Sequence, residues 1–456
     1  MAELLSFDAD LIGRYDMSGP RYTSYPTALS FHTEVTRDNW QQAITTSGTD
    51  KLSLYVHIPF CHKLCYYCGC NKVITRHNHK ADTYLDHLEQ EILAQAPLFA
   101  RHQVHQLHLG GGTPTFLTRS QMTRLMTMLR DNFRFVDDFE GAIEVDPRAV
   151  QLDDMAFLAD IGFNRVSFGV QDFDKRVQEA VNRVQDEDHI RALVMASREA
   201  GFGSINLDLI YGLPFQNAEQ FAVTLHKAVE LDADRLSVFN YAHMPSRFPA
   251  QAKIKEDTLP TPAEKLDIFA TTINVLTGAG YHFVGMDHFA KQDDELALAQ
   301  KEGRLHRNFQ GYTTDGDCDL LGLGVSAISQ VNGFYAQNEK VLKDYQARTE
   351  SDGHALTKGY QMSEDDQIRA TAIRRLLCNL WLEWDRLDAD FGIDSRAYFE
   401  EEIGLLDAME RDGLLSREAK GIRIHQRGRL LVRSIAMTFD AHLKQNIKRH
   451  RFSRII

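Results

Sequence analysis

The chain has 456 residues, of which 43% are hydrophobic and 25% charged, a composition typical of a globular protein with more than one core. Its formal net charge of −13 opposes the phosphates of nucleic acid, and no apolar run reaches the roughly 18 residues that a membrane span needs. The N-terminus carries acids early and lacks a basic start followed by an apolar stretch. We therefore expect a monomeric cytoplasmic protein that binds neither nucleic acid nor membrane.

Residues 1–35 are predicted to form an N-terminal arm ahead of a large domain at 36–290, in which short β-rich runs alternate with longer amphipathic stretches. The predicted strands are Leu52 to Ile58, Val104 to Leu109, Gly141 to Val145, Arg165 to Val170, Ile205 to Ile210 and Leu236 to Asn240. The predicted helices include Asp82 to Ala96, Arg119 to Asn132, Asp186 to Ala200, Ala218 to Leu231 and Pro262 to Ala279. The alternation predicts a parallel sheet with crossover helices, in which a barrel is preferred and a doubly wound open sheet stays possible.

Polar and small residues gather where these predicted strands end. They are Cys61, the run Gly110 to Pro114, Glu144 and Asp146, Gln171, Asp208, and Tyr241 with Ala242. In barrel-like α/β folds the loops after the strands face one common mouth, where ligand and catalytic groups collect. The pattern therefore predicts one site at this end of the sheet.

The remaining chain is predicted to hold an active-site loop and linker region at 291–360 and a mainly helical domain at 361–456. The order of helices and short β-rich segments after residue 360 resembles a winged-helix arrangement. Such modules bind DNA or serve as packing units, and the acidic chain favours packing.

Four of the six cysteines lie between residues 61 and 70, which indicates a metal site more than a disulfide framework. Cys61, Cys65 and Cys68 recur with gaps of three and two residues, so that one tight loop can hold three corners of an iron–sulfur cubane. The fourth iron then stays open to a chelating substrate, and the amino and carboxylate groups of a methionine suit it. An adjacent sulfonium can receive an electron there, and homolysis would release a 5′-deoxyadenosyl radical.

A zinc knuckle is the alternative reading of this cysteine loop, with Cys70 or His57 as a fourth ligand. Zinc sites favour two separated cysteine pairs, and the sequence has no distant second pair, so the iron–sulfur reading is preferred. The direction of the Cys70 side chain stays open in both readings.

The run Gly110 to Gly112 matches neither the dinucleotide fingerprint nor the phosphate-binding P-loop. After a strand, three residues without side chains let the backbone approach a ligand closely, and exposed carbonyls can accept bonds from an ammonium group. Alone, the run fits an ordinary tight turn equally well. Beside the cysteine loop, it favours a site for a methionine amino group.

These motifs together identify a resemblance. The cysteine loop after a strand, followed by the glycine triplet, resembles the radical S-adenosylmethionine superfamily. A more specific likeness, to the bacterial oxygen-independent coproporphyrinogen III oxidases, covers nearly the whole chain. It rests on Arg21 to Pro26, Tyr55 to Cys61, Cys68 to Asn71, Gly110 to Pro114, Glu144 to Pro147 and Asn206 to Pro214.

The resemblance implies an α/β fold: an incomplete (βα)6 TIM-like barrel with an N-terminal arm and a mainly helical, winged-helix-like C-terminal domain. It implies that a [4Fe–4S] cluster on Cys61, Cys65 and Cys68 cleaves S-adenosylmethionine. The resulting radical would abstract hydrogen from the ring A and B propionates of coproporphyrinogen III, after which carbon dioxide and an electron leave and vinyl groups form. Two S-adenosylmethionine molecules would serve the two decarboxylations, with an electron donor and an acceptor that the sequence does not identify.

The resemblance also assigns site residues by matching motif. The cluster-bound S-adenosylmethionine would contact Tyr55, Gly111 and Glu144. The second molecule would contact Tyr67, Gly112, Thr113, Gln171, Arg183, Asp208, Ala242 and Ile328. Tyr55, His57 and Cys70 are the predicted catalytic residues. Tyr67 stands where the family often has Phe, which keeps the aromatic face and adds a hydroxyl.

Two other functions remain as alternatives: a haem chaperone of the same superfamily and a cluster-based electron carrier. The chaperones usually lack the Cys-Gly-Cys-Asn ending and the Arg-Tyr-Thr-Ser-Tyr-Pro arm, both of which this chain has. A carrier would not need a large barrel with polar strand ends. Because a substrate with four propionates needs local cations, Arg21 and Arg307 are the predicted substrate-binding residues.

Overall fold

The computed structural model describes residues 7–15 and 17–443. A twelve-stranded sheet forms its centre, and the six predicted strands lie in the middle of this sheet as parallel neighbours in chain order. Each crossover therefore advances in the same direction, whereas a doubly wound sheet would reverse its strand order. This strand order is that of an incomplete barrel.

The six barrel strands are Lys51–Ile58, Gln103–Gly111, Arg134–Val145, Arg165–Gln171, Ser204–Tyr211 and Arg235–Asn240. Alternation along the first of them separates two faces. Leu52, Leu54, Val56 and Ile58 are fully buried against the surrounding elements, while Ser53 lines the interior of the barrel. Burying each of these large apolar side chains contributes about 1.5–3 kcal/mol, and the opposite face is left free for polar groups.

The α-helices are Ala9–Tyr15, Arg37–Thr45, His79–Gln95, Arg119–Asn132, Leu152–Asp160, Lys175–Ala180, Glu187–Glu199, Ala218–Glu230, Pro262–Gly278, Glu295–Lys301, Leu342–Asp352, Glu364–Asn379, Trp384–Phe391, Ser395–Tyr398, Glu400–Leu405, Asp407–Arg411 and Val432–Ala436. All five helices named from the sequence are present. Capping boxes fix two of their starts, through Thr118 with Gln121 and Thr261 with Glu264, because each pair satisfies backbone amides that the first helical turn leaves free. None of the described helices has the length and apolar character to cross a bilayer.

Residues 291–360 differ from the predicted loop and linker, because most of the segment is regular structure joined to the sheet. The remaining strands are Phe60–Cys61, Val73–Ile74, His282–Gly285, His288–Ala290, His306–Asn308, Gly311–Thr313, Asp319–Leu323, Ile328–Val331, Phe334–Asn338, Leu356–Gln361, Trp381–Glu383, Leu415–Glu418 and Gly421–Ile424. Asp319–Leu323 pairs in parallel with the first barrel strand. It is buried at every position, so it lacks the polar alternation that marks a half-buried strand.

The C-terminal region contains a three-stranded sheet with short helices, in agreement with the predicted winged-helix-like arrangement. Residues 444–456 of the predicted domain lie outside the described part. Before them, the 3-10 helix Gln426–Leu431 leads into the α-helix Val432–Ala436. The N-terminal arm packs on this helix. Arg433 Nη2 donates to the Gly19 carbonyl at 2.8 Å, and the Tyr22 hydroxyl donates to Asp440 at 2.9 Å.

Candidate active site

A cavity of about 430 Å³ occupies the interior of the barrel and runs from the strand ends towards the strand starts. Its wall includes twelve of the predicted site residues: Cys61, Cys65, Tyr67, Cys68, Cys70, Gly111, Gly112, Thr113, Glu144, Gln171, Arg183 and Asp208. Residues from every barrel strand contribute, as expected when alternate side chains of parallel strands point to one interior. Most of the site residues predicted from the sequence therefore line one cavity.

Four of the residues predicted for catalysis, the cluster and S-adenosylmethionine lie outside this wall. The Tyr55 hydroxyl is 3.1 Å from His57 Nδ1, and the Tyr55 ring stacks on the cavity residue His108 with centroids 5.8 Å apart. Tyr55 and His57 thus stand directly behind the wall. Ala242 follows Tyr241 outside it, and Ile328 packs against an apolar cluster around Tyr335. Ligand contacts of Ala242 and Ile328 stay predictions.

The cysteine loop is held at both of its ends. Phe60–Cys61 pairs in parallel with Val73–Ile74, which fixes the start of the loop against the chain that follows it. In the middle, the Tyr66 amide donates to the Val181 carbonyl at 3.0 Å, and Asn182 Nδ2 donates to the Leu64 carbonyl at 2.7 Å. The three thiols are therefore presented to the cavity by a fixed backbone.

Hydrogen-bond donors surround these thiols. Arg148 Nη2 and Arg183 Nη1 lie 3.3 Å and 3.4 Å from Cys65 Sγ, and the Thr113 hydroxyl lies 3.5 Å from Cys61 Sγ. Such donors favour the thiolate, which is the form that binds metal. The donor set fits the implied iron–sulfur cluster, since the three thiols line one cavity and thiolates are the ligands that such clusters take.

The individual thiols differ in acidity. A hydrogen bond from the Cys70 thiol, helped by the Lys72 charge against the effect of burial, lowers the pKa of Cys68 to about 6. Burial raises the pKa of Cys61 to about 11, so binding of metal must displace its proton. Cys70 itself is exposed at the cavity wall, next to the ligand loop.

Asp146 joins the two arginines that reach Cys65. Arg148 Nη2 is 2.6 Å and Arg183 Nη1 3.3 Å from Asp146 Oδ2. Burial opposes ionisation, but the two guanidinium groups outweigh it and hold the pKa of Asp146 at about 2. The sequence analysis missed Arg148, although its position two residues after a strand-end carboxylate was the available signal.

The glycine triplet lies against the first strand of the barrel. The Gly112 amide donates to the Ile58 carbonyl and the Thr113 amide to the Phe60 carbonyl, both at 2.8 Å. A Cβ on Gly112 would meet the Pro59 carbonyl carbon at 2.7 Å, and one on Gly111, whose φ is +110°, would meet the His57 ring at 2.6 Å. Close approach of two chain segments therefore requires glycine here.

Glu144 presents an ionised carboxylate beside this triplet. His108 Nε2 lies 3.2 Å from its Oε1, and the Gly111 amide donates to its Oε2 at 3.3 Å. Loss of solvent around the carboxyl group raises the pKa of Glu144, but the hydrogen bonds from His108 and Gly111 outweigh this effect, and the pKa is lowered. Glu144 can accept hydrogen bonds from an ammonium group or ribose hydroxyls. His108 was not identified from the sequence.

Asp208 behaves in the opposite way. The Ser167 hydroxyl and Asn206 Nδ2 donate to it at 2.9 Å and 2.8 Å, but burial raises its pKa to about 6. The folded protein therefore binds this proton more tightly than the unfolded chain, whose Asp pKa is about 3.9. Stability from this group is present below pH 4 and is lost as the pH rises through 6.

We predict that Asp208→Asn makes the ligand-free protein more stable than wild type at pH 7.5 and leaves the difference small at pH 4.5. The Asn amide can keep both hydrogen bonds, because the Ser167 hydroxyl can rotate to accept. Thermal unfolding midpoints at the two pH values test this. A stability difference of the same size at both pH values would contradict it, and Asp186→Asn, which alters an exposed helix cap, is a control for the loss of a carboxylate.

The far end of the cavity holds residues that the sequence did not mark, among them Arg165, Arg235 and Tyr312. The predicted pair Arg21 and Arg307 lies beside this end. Arg21 is 2.9 Å from the Asp287 carboxylate, so its charge is already balanced. Arg307 Nη1 donates to the Arg21 carbonyl at 2.8 Å, its guanidinium is 5.3 Å from the Tyr312 ring centroid, and within the described residues it has no carboxylate partner.

Comparison with known proteins gives concordant matches. The family profile of the radical SAM superfamily matches residues 55–228, and that of the HemN C-terminal domain matches residues 362–431. The oxygen-independent coproporphyrinogen III oxidase of Escherichia coli (strain K12) is 55% identical over 99% of both chains. The Pseudomonas aeruginosa protein of the same name is 50% identical over 100% of both.

A solved structure agrees with these matches. The coproporphyrinogen III oxidase from Escherichia coli, described as a radical SAM enzyme, superposes with a TM-score of 0.93 at 54% identity, covering 96% of this chain and 100% of that one. The similarity thus extends over the barrel, the strands that widen its sheet and the C-terminal region.

Proposed function

The chain belongs to the oxygen-independent coproporphyrinogen III oxidase family of radical SAM enzymes, and from this premise we propose that it converts coproporphyrinogen III to protoporphyrinogen IX. The reaction is the oxidative decarboxylation of the ring A and B propionates to vinyl groups without oxygen. The observation that carries the proposal is the single barrel cavity lined by Cys61, Cys65 and Cys68 together with the glycine triplet, in a chain similar to these oxidases over its full length.

Cys61, Cys65 and Cys68 would hold three irons of a [4Fe–4S] cluster, which leaves the fourth for S-adenosylmethionine. When bound, the cluster and S-adenosylmethionine supply an electron and a hydrogen-abstracting 5′-deoxyadenosyl radical. The protein contributes the three thiols, and Arg148 and Arg183 lie within hydrogen-bond distance of the Cys65 sulfur. Hydrogen bonds to a ligand sulfur also raise the reduction potential of a cluster.

The residues around the glycine triplet would hold the methionine and ribose groups of S-adenosylmethionine in place. Gly111 exposes backbone to the ligand, and Glu144, kept ionised by His108, accepts hydrogen bonds from it. Tyr55 supports this wall from behind, because it stacks on His108 and bonds His57. His57, whose pKa is lowered by burial, is neutral at pH 7 and acts through position rather than charge.

A second S-adenosylmethionine would use the neighbouring wall. Tyr67, Gly112, Thr113, Gln171, Arg183 and Asp208 all line the cavity, so one molecule beside the cluster ligand can meet several of them. Arg183 supplies a buried cation for a carboxylate, and Asp208 offers an acceptor for ribose hydroxyls. Binding of a molecule there would bring the total to two per chain.

The substrate would enter the same interior, with Cys70 at the wall as a thiol that does not bind the cluster. A thiol there can contact the tetrapyrrole edge and help to position it. We place the reaction in the cytoplasm, where reducing conditions keep the cluster cysteines from forming disulfides. A separate electron donor would reduce the cluster, and a final electron acceptor would take the electron that leaves the substrate.

Anaerobic turnover of coproporphyrinogen III with S-adenosylmethionine and reductant tests the proposal. We expect protoporphyrinogen IX with about one 5′-deoxyadenosine per decarboxylation. Formation of neither product by protein with a full cluster would contradict it. Tight haem binding without turnover would indicate a haem chaperone, and electron transfer without consumption of S-adenosylmethionine would indicate a carrier.

Substrate binding is predicted to depend on Arg307 more than on Arg21, because Asp287 already balances the Arg21 charge. Arg307 lies at a second cavity of about 310 Å³, which shares Asn308 and Thr313 with the main one. Removing a charge-assisted hydrogen bond costs about 1.5–3 kcal/mol. Arg307→Ala should therefore raise the KM for coproporphyrinogen about tenfold or more, and Arg21→Ala should raise it less.

Steady-state kinetics with each substrate varied in turn measures both effects. The KM for S-adenosylmethionine should stay unchanged, and Arg396→Ala, an exposed position on a C-terminal helix, is the control. An unaltered KM for coproporphyrinogen in Arg307→Ala would show that the propionates bind elsewhere.

A further inference from the structure

A separate groove, of about 680 Å³, lies along the cysteine loop and the short strand Val73–Ile74 that pairs with it. We call it the basic groove. Its lining includes Lys63, Ile74, Thr75, Arg76, Lys80 and Asn182. None of the residues that line it is an aspartate or a glutamate, although the chain as a whole has a net charge of −13.

The cations of the basic groove are available to a partner. Lys63, Arg76 and Lys80 are exposed, and within residues 7–15 and 17–443 none of them has a carboxylate within 4.0 Å. Ile74, which is 42% exposed, adds an apolar contact in the middle of these charges. Exposed cations around an apolar centre are typical of a protein docking surface.

The floor of the basic groove is the backbone of the ligand loop. The Thr75 amide donates to the Cys61 carbonyl at 3.0 Å, and Ile74 is the strand partner of Cys61. Asn182 Nδ2 donates to the carbonyl of Leu64, the residue before Cys65. One hydrogen bond and a few covalent bonds therefore connect the groove surface to two of the three ligand sulfurs.

The groove and the site of chemistry have almost entirely different linings. The thiols of Cys61, Cys65 and Cys68 line the barrel cavity and none of them lines the basic groove, and among the described residues only Lys63 lines both. A partner bound over Arg76 and Lys80 therefore lies next to the ligand loop without occupying the lining assigned to S-adenosylmethionine.

We propose that the basic groove docks a small acidic electron-transfer protein whose redox centre lies near its own surface. The inference rests on the proposed function, since each S-adenosylmethionine that is cleaved consumes one electron. The step balances simply: the reduced carrier loses one electron, the oxidised cluster gains it, and no proton or covalent bond is involved. Complementary charge aligns the two redox centres and accelerates their encounter.

A protein partner fits these observations better than a small anion. An anion site of high affinity needs buried, converging donors, whereas these side chains are exposed and spread along a groove. Attraction spread over exposed charges gives a fast, short-lived complex whose rate falls with ionic strength. Such a complex suits a carrier that must leave after each transfer.

The test compares two reductants on the reconstituted enzyme. Arg76→Glu/Lys80→Glu reverses two groove charges that lie outside the barrel cavity, and Lys343→Glu/Arg396→Glu reverses two exposed cations on other helices as the matched control. Cluster reduction is followed anaerobically by stopped-flow absorbance. The donors are reduced plant-type ferredoxin, an acidic protein, and photoreduced 5-deazariboflavin, which is uncharged.

We expect the groove variant to be reduced by ferredoxin at least about tenfold more slowly than wild type and the control variant. The wild-type rate with ferredoxin should fall as salt is added, and the rate with deazariboflavin should be the same in all three proteins. Equal ferredoxin rates, or equal slowing with both donors, would overturn the docking site. A wild-type protein that assembles no reducible cluster would overturn the proposed function itself, which iron analysis before mixing reveals.

Discussion

Anaerobic reconstitution of Cys61→Ser, Cys65→Ser or Cys68→Ser should give protein without the brown absorbance, iron or sulfide of a cluster, and with no detectable turnover. Each thiol reaches the same cavity. Three protein ligands leave one of the four irons open, and loss of any one of them leaves too few ligands to hold the cluster. Serine keeps the size of the side chain but replaces the soft thiolate that iron–sulfur clusters require. Iron analysis, visible absorbance and EPR of the reduced protein measure the loss.

Cys70→Ser is the informative comparison, because the Cys70 thiol lies next to Cys68 and also lines the cavity. It should keep its cluster and the effect of S-adenosylmethionine on the EPR signal, while decarboxylation falls. Cys318→Ser, at a half-buried position outside the main cavity, is the control for cluster assembly. Cluster loss in Cys70→Ser, together with a wild-type EPR signal that ignores S-adenosylmethionine, would indicate four cysteine ligands and an electron-transfer site.

The barrel was predictable because each of its strands and helices is determined by a pattern within a short stretch of the sequence. Lys51–Ile58 and Ser204–Tyr211 carry apolar residues at every second position, and Arg119–Asn132 has a capping box at its start. Strand order was not local. Whether successive strands pair in chain order depends on which faces the helices cover, and the sequence of one chain does not state this.

The strands after residue 300 show where sequence patterns fail. Asp319–Leu323 and Phe334–Asn338 are buried at all five positions, so no period of two marks them, and glycines nearby indicate a loop. Their place is set by distant partners, such as the parallel pairing of Asp319–Leu323 with Lys51–Ile58. Information about such partners is spread over residues hundreds of positions apart.

The residues of the candidate site also fall into those that the sequence indicates and those that only the fold reveals. Cysteines, glycines and strand-end carboxylates were found because their chemistry is visible in their spacing. Arg148 and His108 were missed, because an arginine after a strand and a histidine within one usually have structural roles. Only the fold places Arg148 3.3 Å from Cys65 Sγ and His108 3.2 Å from Glu144.

Gly112→Ala should lower the rate of decarboxylation to about one-hundredth of the wild-type rate or less. The new Cβ would lie 2.7 Å from the Pro59 carbonyl carbon and 2.8 Å from the Phe60 carbonyl oxygen, and both are backbone atoms of the segment that leads into Cys61. That segment must move away, which displaces the ligand loop and the ligand-binding edge of the triplet together. A displacement of about 1 Å is enough to cost about 100-fold in rate.

The defect should be local, which separates it from misfolding. Gly404→Ala, at an exposed helical position with nothing within 4 Å of the added Cβ, should leave turnover unchanged and raise the free energy of unfolding by about 0.4–1 kcal/mol. Gly112→Ala should lose the change that S-adenosylmethionine causes in the EPR spectrum of the reduced cluster, while its far-UV circular dichroism stays like that of wild type. Overpacking of this kind lowers the free energy of unfolding by about 1–3 kcal/mol. Normal S-adenosylmethionine binding and turnover in Gly112→Ala would mean that the triplet is an ordinary turn and that the ligand binds to another part of the barrel.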